Sequence, residues 1–109
     1  MTVWYVYIIS TAQGVLNTGI TNNPARRIRQ HSGLIKGGAK ALRGKGPLQF
    51  ECVFEVANKS VALQLEAWIK RHSRAAKQQL IQRTLQPPQE NSLLSAEAIQ
   101  QMNSALRSQ

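Results

Sequence analysis

The order of apolar and polar positions along this chain predicts its elements one by one. Residues 3–10, VWYVYIIS, are aromatic and β-branched and predict a strand. Alternation along it puts Tyr7 on the same face as Tyr5 and Ile9. The segment TAQG predicts a turn in which Gly14 supplies backbone freedom, and residues 15–21, VLNTGIT, complete a hairpin. Asn23 followed by Pro24 predicts a helix start, with Asn as the cap and Pro at the first helical position; ARRIRQHS then runs to Gly33. Residues 48–56, LQFECVFEV, alternate, with Phe50, Cys52, Phe54 and Val56 on one face and Glu51 and Glu55 on the other, as in a half-buried strand. Ser60 is the expected cap of a helix carrying Val61, Leu65, Trp68, Ile69 and His72 at helical spacing, and Ser73 that of a second over RAAKQQLIQR. A Pro87-Pro88 break and a short helix over residues 96–106 follow.

The order β-β-α-β-α-α predicts an α+β fold: a compact three-stranded, mainly antiparallel sheet flanked by helices. The expected division is a domain over residues 1–83 and a C-terminal extension over 84–109. A chain of 109 residues can bury one modest core, and its 42% hydrophobic content is ordinary for a globular fold. The opening apolar stretch is too short to span a membrane and lacks a basic leader. The one cysteine, Cys52, cannot form an internal disulfide, and a cytoplasmic location is expected.

Charge sharpens the picture. The chain carries 14 Lys and Arg against 5 acids, a net of +9. Residues 1–83 hold thirteen of the cations and three of the acids, a local +10, while the remainder is −1. Such a surface attracts a polyanion through counterion release. The charge therefore points to nucleic acid, the alternative being solubility alone; DNA is the expected partner, with RNA as an alternative ligand. The expected state is a monomer with no organic cofactor and no membrane contact.

The acids limit the chemistry. There is no Asp and there are five Glu, so carboxylates converging on two metal ions are not expected; two His and one Cys cannot close an ordinary zinc site. Tyr7 is a candidate base if nearby cations lower its pKa; the alternative is a plain sheet aromatic. Arg27 and His31 share a helix face, able to neutralise phosphate charge and to hold a water or move a proton; the alternative is a solvated basic helix. Glu66 is a lone hard carboxylate suited to Mg²⁺, or one half of an i,i+4 pair with Lys70. Residues 33–47 carry five Gly along with Lys36, Lys40, Arg43 and Lys45. They fail the P-loop pattern and suit a basic loop that clasps a nucleic-acid backbone, or a plain mobile loop.

WYVYII, NTGIT, ARRIRQH and LQLEAWIKR, in that order, resemble the GIY-YIG nuclease superfamily, and most of all its small stand-alone bacterial members of the UPF0213 type. The resemblance covers residues 3–83. It implies phosphodiester hydrolysis with one divalent ion, Mg²⁺ or Mn²⁺, in a structure- or damage-directed endonuclease of DNA repair or processing. It implies that Tyr7 activates or positions the attacking water, that Gly19 is the second-motif glycine, and that Arg27 is the catalytic arginine with His31 one turn on. It further implies that Glu66 binds the metal and that Lys70 faces phosphate. Asn17 stands where the second motif has a tyrosine; it can hydrogen-bond but lacks the phenol's acidity and reach. The alternative is a catalytically impaired nucleic-acid-binding module that uses the same basic face.

Overall fold

The hairpin that opens the chain closes on a left-handed glycine. The computed structural model describes residues 3–24, 26–27 and 48–107. β1 (Trp4–Ser10) and β2 (Leu16–Thr21) pair antiparallel, with Tyr7 opposite Gly19 and Ile9 opposite Asn17. Between them Gly14 takes φ +82° and donates its N–H to the Thr11 carbonyl at 2.9 Å, as the TAQG turn requires. β3 (Gln49–Val56) pairs antiparallel with the other edge of β1. A two-residue strand, β4 (Ser92–Leu93), extends the sheet to the order β2-β1-β3-β4, one strand more than the three expected.

Both faces of β1 are buried. Val6 and Ile8 join Cys52, Phe54 and Val56 beneath α1 (Lys59–Lys70), which contributes Ala62, Leu65 and Ile69, and beneath Leu80 of α2 (Arg74–Ile81). On the opposite face Tyr7 and Ile9 join Leu48, Phe50 and Val53 beneath Ile99 of α3 (Ala96–Arg107). Residues 92–107 thus supply both the edge strand and the helix on the Tyr7 face. No helix among the described residues is long and apolar enough to cross a membrane.

The simple alternation read for β3 fails at one residue. Ile8 pairs with Cys52 but Ile9 with Phe50, which leaves Glu51 as the extra residue of a β-bulge. Phe50 therefore turns away from Cys52 and Phe54 and onto the face of Tyr7 and Ile9. The bulge is well partnered. Glu51 Oε1 accepts from Ser10 Oγ at 2.8 Å and Gln49 Nε2 at 2.7 Å. Asn103 of α3 accepts from the Phe50 N–H at 2.8 Å and donates to the Phe50 carbonyl at 3.1 Å, standing in for a neighbouring strand.

One cap also moves. Asn58, not Ser60, caps α1: its Oδ1 accepts the Val61 N–H at 3.0 Å, and Lys59 and Ser60 are already helical. Ser73 caps α2 as expected, accepting the Ala76 N–H at 3.2 Å. α2 stops at Ile81, and Arg83 follows at φ +66°.

Candidate active site

Tyr7 is held on two sides. Its ring crosses β2 at Gly19, where a Cβ would stand 2.6 Å from Tyr7 Cζ and 3.1 Å from Cε1, and would also run into the hydroxyl. Only a residue without a side chain leaves room for the phenol there. On its other flank the Phe50 ring packs edge-on, centroids 5.8 Å apart and planes at 78°. The residue is 3% exposed.

Arg27 reaches this phenol because the chain turns tightly after β2. Thr21 Oγ1 accepts the Asn23 N–H at 3.0 Å and donates to the Asn23 carbonyl at 3.2 Å. Asn23 Oδ1 then caps the helix start by accepting the Arg26 N–H at 3.1 Å, and its carbonyl accepts the Arg27 N–H at 3.0 Å. Asn23 and Pro24 thus act as their sequence predicts. The Arg27 guanidinium hydrogen-bonds the Tyr7 hydroxyl.

Glu66 arrives from α1, which packs on the β1–β2 hairpin and on β3. Its charge is felt at the Tyr7 hydroxyl. Its Oε2 lies 3.5 Å from Lys70 Nζ, with Glu66 20% and Lys70 56% exposed. The i,i+4 ion pair with Lys70 is therefore formed, and the same carboxylate lies within electrostatic reach of the phenol. Asn17 lies on the Tyr7 face of β2, one pleat from Gly19, half-buried, with no side-chain hydrogen bond among the described residues.

One electrostatic expectation is corrected. Burial pushes the Tyr7 phenol above its ordinary 10.0; the hydrogen bond and charge of Arg27 pull it down by less, and Glu66 pushes it further up. The phenol is protonated at neutral pH, so it offers a hydroxyl and not a resident phenolate. His31, Lys36, Lys40, Arg43 and Lys45 lie outside the described residues.

The structure adds two supporting residues that sequence reasoning passed over. Phe50 braces Tyr7, and Asn103 braces the bulge that aims Phe50. No sequence signal marks either, because a bulge leaves the apolar count of a strand unchanged.

Residues 3–79 match the model of the GIY-YIG catalytic domain. The chain belongs to the GIY-YIG family. A UPF0213 protein of Aeromonas hydrophila is 48% identical over 79 residues, covering 72% of this chain and 56% of the relative. The UPF0213 protein YhbQ of Salmonella typhimurium is 47% identical over 81 residues, covering 74% of this chain and 79% of the relative. A UPF0213 protein of Bacillus halodurans, solved by solution NMR, is 36% identical, with 78% of this chain and 88% of that one covered, at a TM-score of 0.49. The chain spans a little over half the length of the Aeromonas relative it matches.

Proposed function

We propose that this chain is an endonuclease that hydrolyses DNA phosphodiester bonds with one divalent metal, directed by DNA structure or damage. The observation that carries the reading is the meeting of three groups from three separate elements. The Tyr7 hydroxyl is hydrogen-bonded by the Arg27 guanidinium and lies within electrostatic reach of the Glu66 carboxylate, in a chain of net charge +9. Arg27 neutralises charge developing on a phosphate oxygen. Tyr7, as a neutral hydroxyl, orients a water for in-line attack. Lys70, exposed beside Glu66, adds positive charge for the flanking backbone.

Glu66 suits Mg²⁺ or Mn²⁺. It is a hard oxygen donor still 20% exposed, and no group of three or more His, Cys, Asp or Glu occurs among the described residues. That donor set matches an ion that keeps water and substrate oxygens in most of its positions. When bound, such an ion supplies Lewis-acid stabilisation of phosphate charge.

Asn17 favours a second reading, a module that binds nucleic acid through this face without cutting it. One experiment separates the two. Plasmid, branched and single-stranded DNA are incubated with wild type, Glu66→Ala, Arg27→Ala and Asn17→Tyr, in Mg²⁺, in Mn²⁺ and in EDTA. Metal-dependent cutting by wild type, lost in Glu66→Ala and Arg27→Ala, is expected. Salt-sensitive binding with no cutting by wild type would overturn hydrolysis, and cutting gained by Asn17→Tyr would then locate the defect.

A further inference from the structure

A cavity of about 260 Å³ opens beside Arg27, and apart from Arg27 its lining has no part in the hydrolytic chemistry. Trp4, Ile20, Thr21, Asn22 and Arg26 line it, and of these Asn22 and Arg26 are exposed. Arg27 belongs both to this cavity and to the Tyr7 site. The two sites therefore adjoin through one guanidinium.

The lining is chemically uneven in an informative way. Thr21 and Asn23 are engaged in the turn and cap that build the helix start. Asn22, next to them, is exposed and makes no side-chain hydrogen bond among the described residues. Its amide offers one donating and one accepting edge. Arg26 is exposed and has no ion-pair partner among the described residues. Trp4 is half-buried, packed on the α1 side of the sheet, with Lys59 Nζ 5.4 Å from its ring centroid. That ammonium ends an exposed, flexible arm, so an entering planar group can take its place against the indole.

An indole, a free amide and an exposed cation without an ion-pair partner among the described residues, beside the proposed phosphate site, are the recognition groups of one nucleotide. The indole takes the base face, the amide its polar edge, and the guanidinium its phosphate. A paired and stacked base cannot present itself this way. We propose that Trp4, Asn22 and Arg26 form a subsite for an unpaired nucleobase next to the scissile phosphate. The subsite rests on the nuclease reading for that phosphate. It names the structural cue: a nucleotide freed from pairing at a single-stranded stretch, flap or branch.

Binding is measured in EDTA at fixed salt, so that no cutting is needed. The probes are a short single-stranded DNA, the same length of abasic backbone, and the same DNA in a duplex. Quenching is followed in a Trp68→Phe background, where Trp4 is the remaining indole. The base-bearing single strand should bind roughly 5- to 150-fold more tightly than the abasic backbone and quench Trp4. Trp4→Leu should abolish that preference while leaving affinity for the abasic backbone. Asn22→Ala, an exposed change that does not disturb folding, should reduce it. Equal affinity for base-bearing and abasic strands overturns the proposal, as does a preference that survives in both variants. Equal Trp4 quenching by oligoglutamate would mark the cavity as a site for acidic peptide and overturn it too. The two readings fail separately. Base-selective binding without cutting keeps the subsite and removes hydrolysis, whereas cutting without base selectivity keeps hydrolysis and removes the subsite.

Discussion

Gly19→Ala should invert the usual effect of replacing a strand glycine. Alanine in a strand interior ordinarily stabilises by about 0.5–1 kcal/mol, because glycine loses more backbone freedom on folding. Here the new methyl would meet Tyr7 Cζ at 2.6 Å and Cε1 at 3.1 Å, and the Tyr7 hydroxyl as well. The ring cannot slide away freely, because Phe50 packs on it 5.8 Å from its centroid and the residue is 3% exposed. Overpacking of this kind costs about 1–3 kcal/mol. The same displacement strains the hydrogen bond from Arg27, so cutting should fall along with stability. Urea denaturation in three backgrounds isolates the cause. Tyr7→Phe keeps Cζ and Cε1, so Gly19→Ala should still destabilise there. Tyr7→Leu removes both atoms, so Gly19→Ala should be neutral or stabilising. The implied coupling between positions 7 and 19 is about 1.5–4 kcal/mol, well above the scatter of a double-mutant cycle. An equal effect of Gly19→Ala in all three backgrounds would refute the reasoning.

Three further outcomes are expected. Asn103→Ala leaves the Phe50 N–H and carbonyl without the partners at 2.8 and 3.1 Å, and should lower unfolding free energy by about 1–3 kcal/mol in urea titrations; a change below a few tenths would mean that water replaces the amide. Asn58→Ala should cost about 1 kcal/mol by removing the α1 cap, whereas Ser60→Ala, inside the helix, should stay within about 0.5; the reverse order would return the cap to Ser60. Burial pushes the Cys52 thiol from 9.0 up to about 12. The unfolded chain therefore releases that proton first, and stability should fall by about 1.4 kcal/mol per pH unit as pH rises above 9, up to the folded value. Tyr7, raised from 10.0, adds loss in the same direction, and Cys52→Ala should flatten the decline just above pH 9 in melts followed by circular dichroism.

The sequence by itself determined most of the local elements and named the groups that meet at the candidate site. Alternation in VWYVYIIS placed Tyr7 with Ile9 and opposite Val6 and Ile8, and the structure keeps that division. Asn23 with Pro24 set the helix start that delivers Arg27, because caps act over only a few residues. The ordered motifs carried the GIY-YIG family assignment. Tertiary structure alone decided how those groups are held. The bulge at Glu51 arises from the register of β3 on β1, so the face of Phe50 is a property of the pair and not of either strand. A strand as short as Ser92–Leu93 leaves no periodicity to read. The direction of the Tyr7 pKa follows the same logic. Arg27 alone argues for a lowered value, but burial against Phe50 and beneath α3 outweighs it, and burial is a sum over segments distant in sequence.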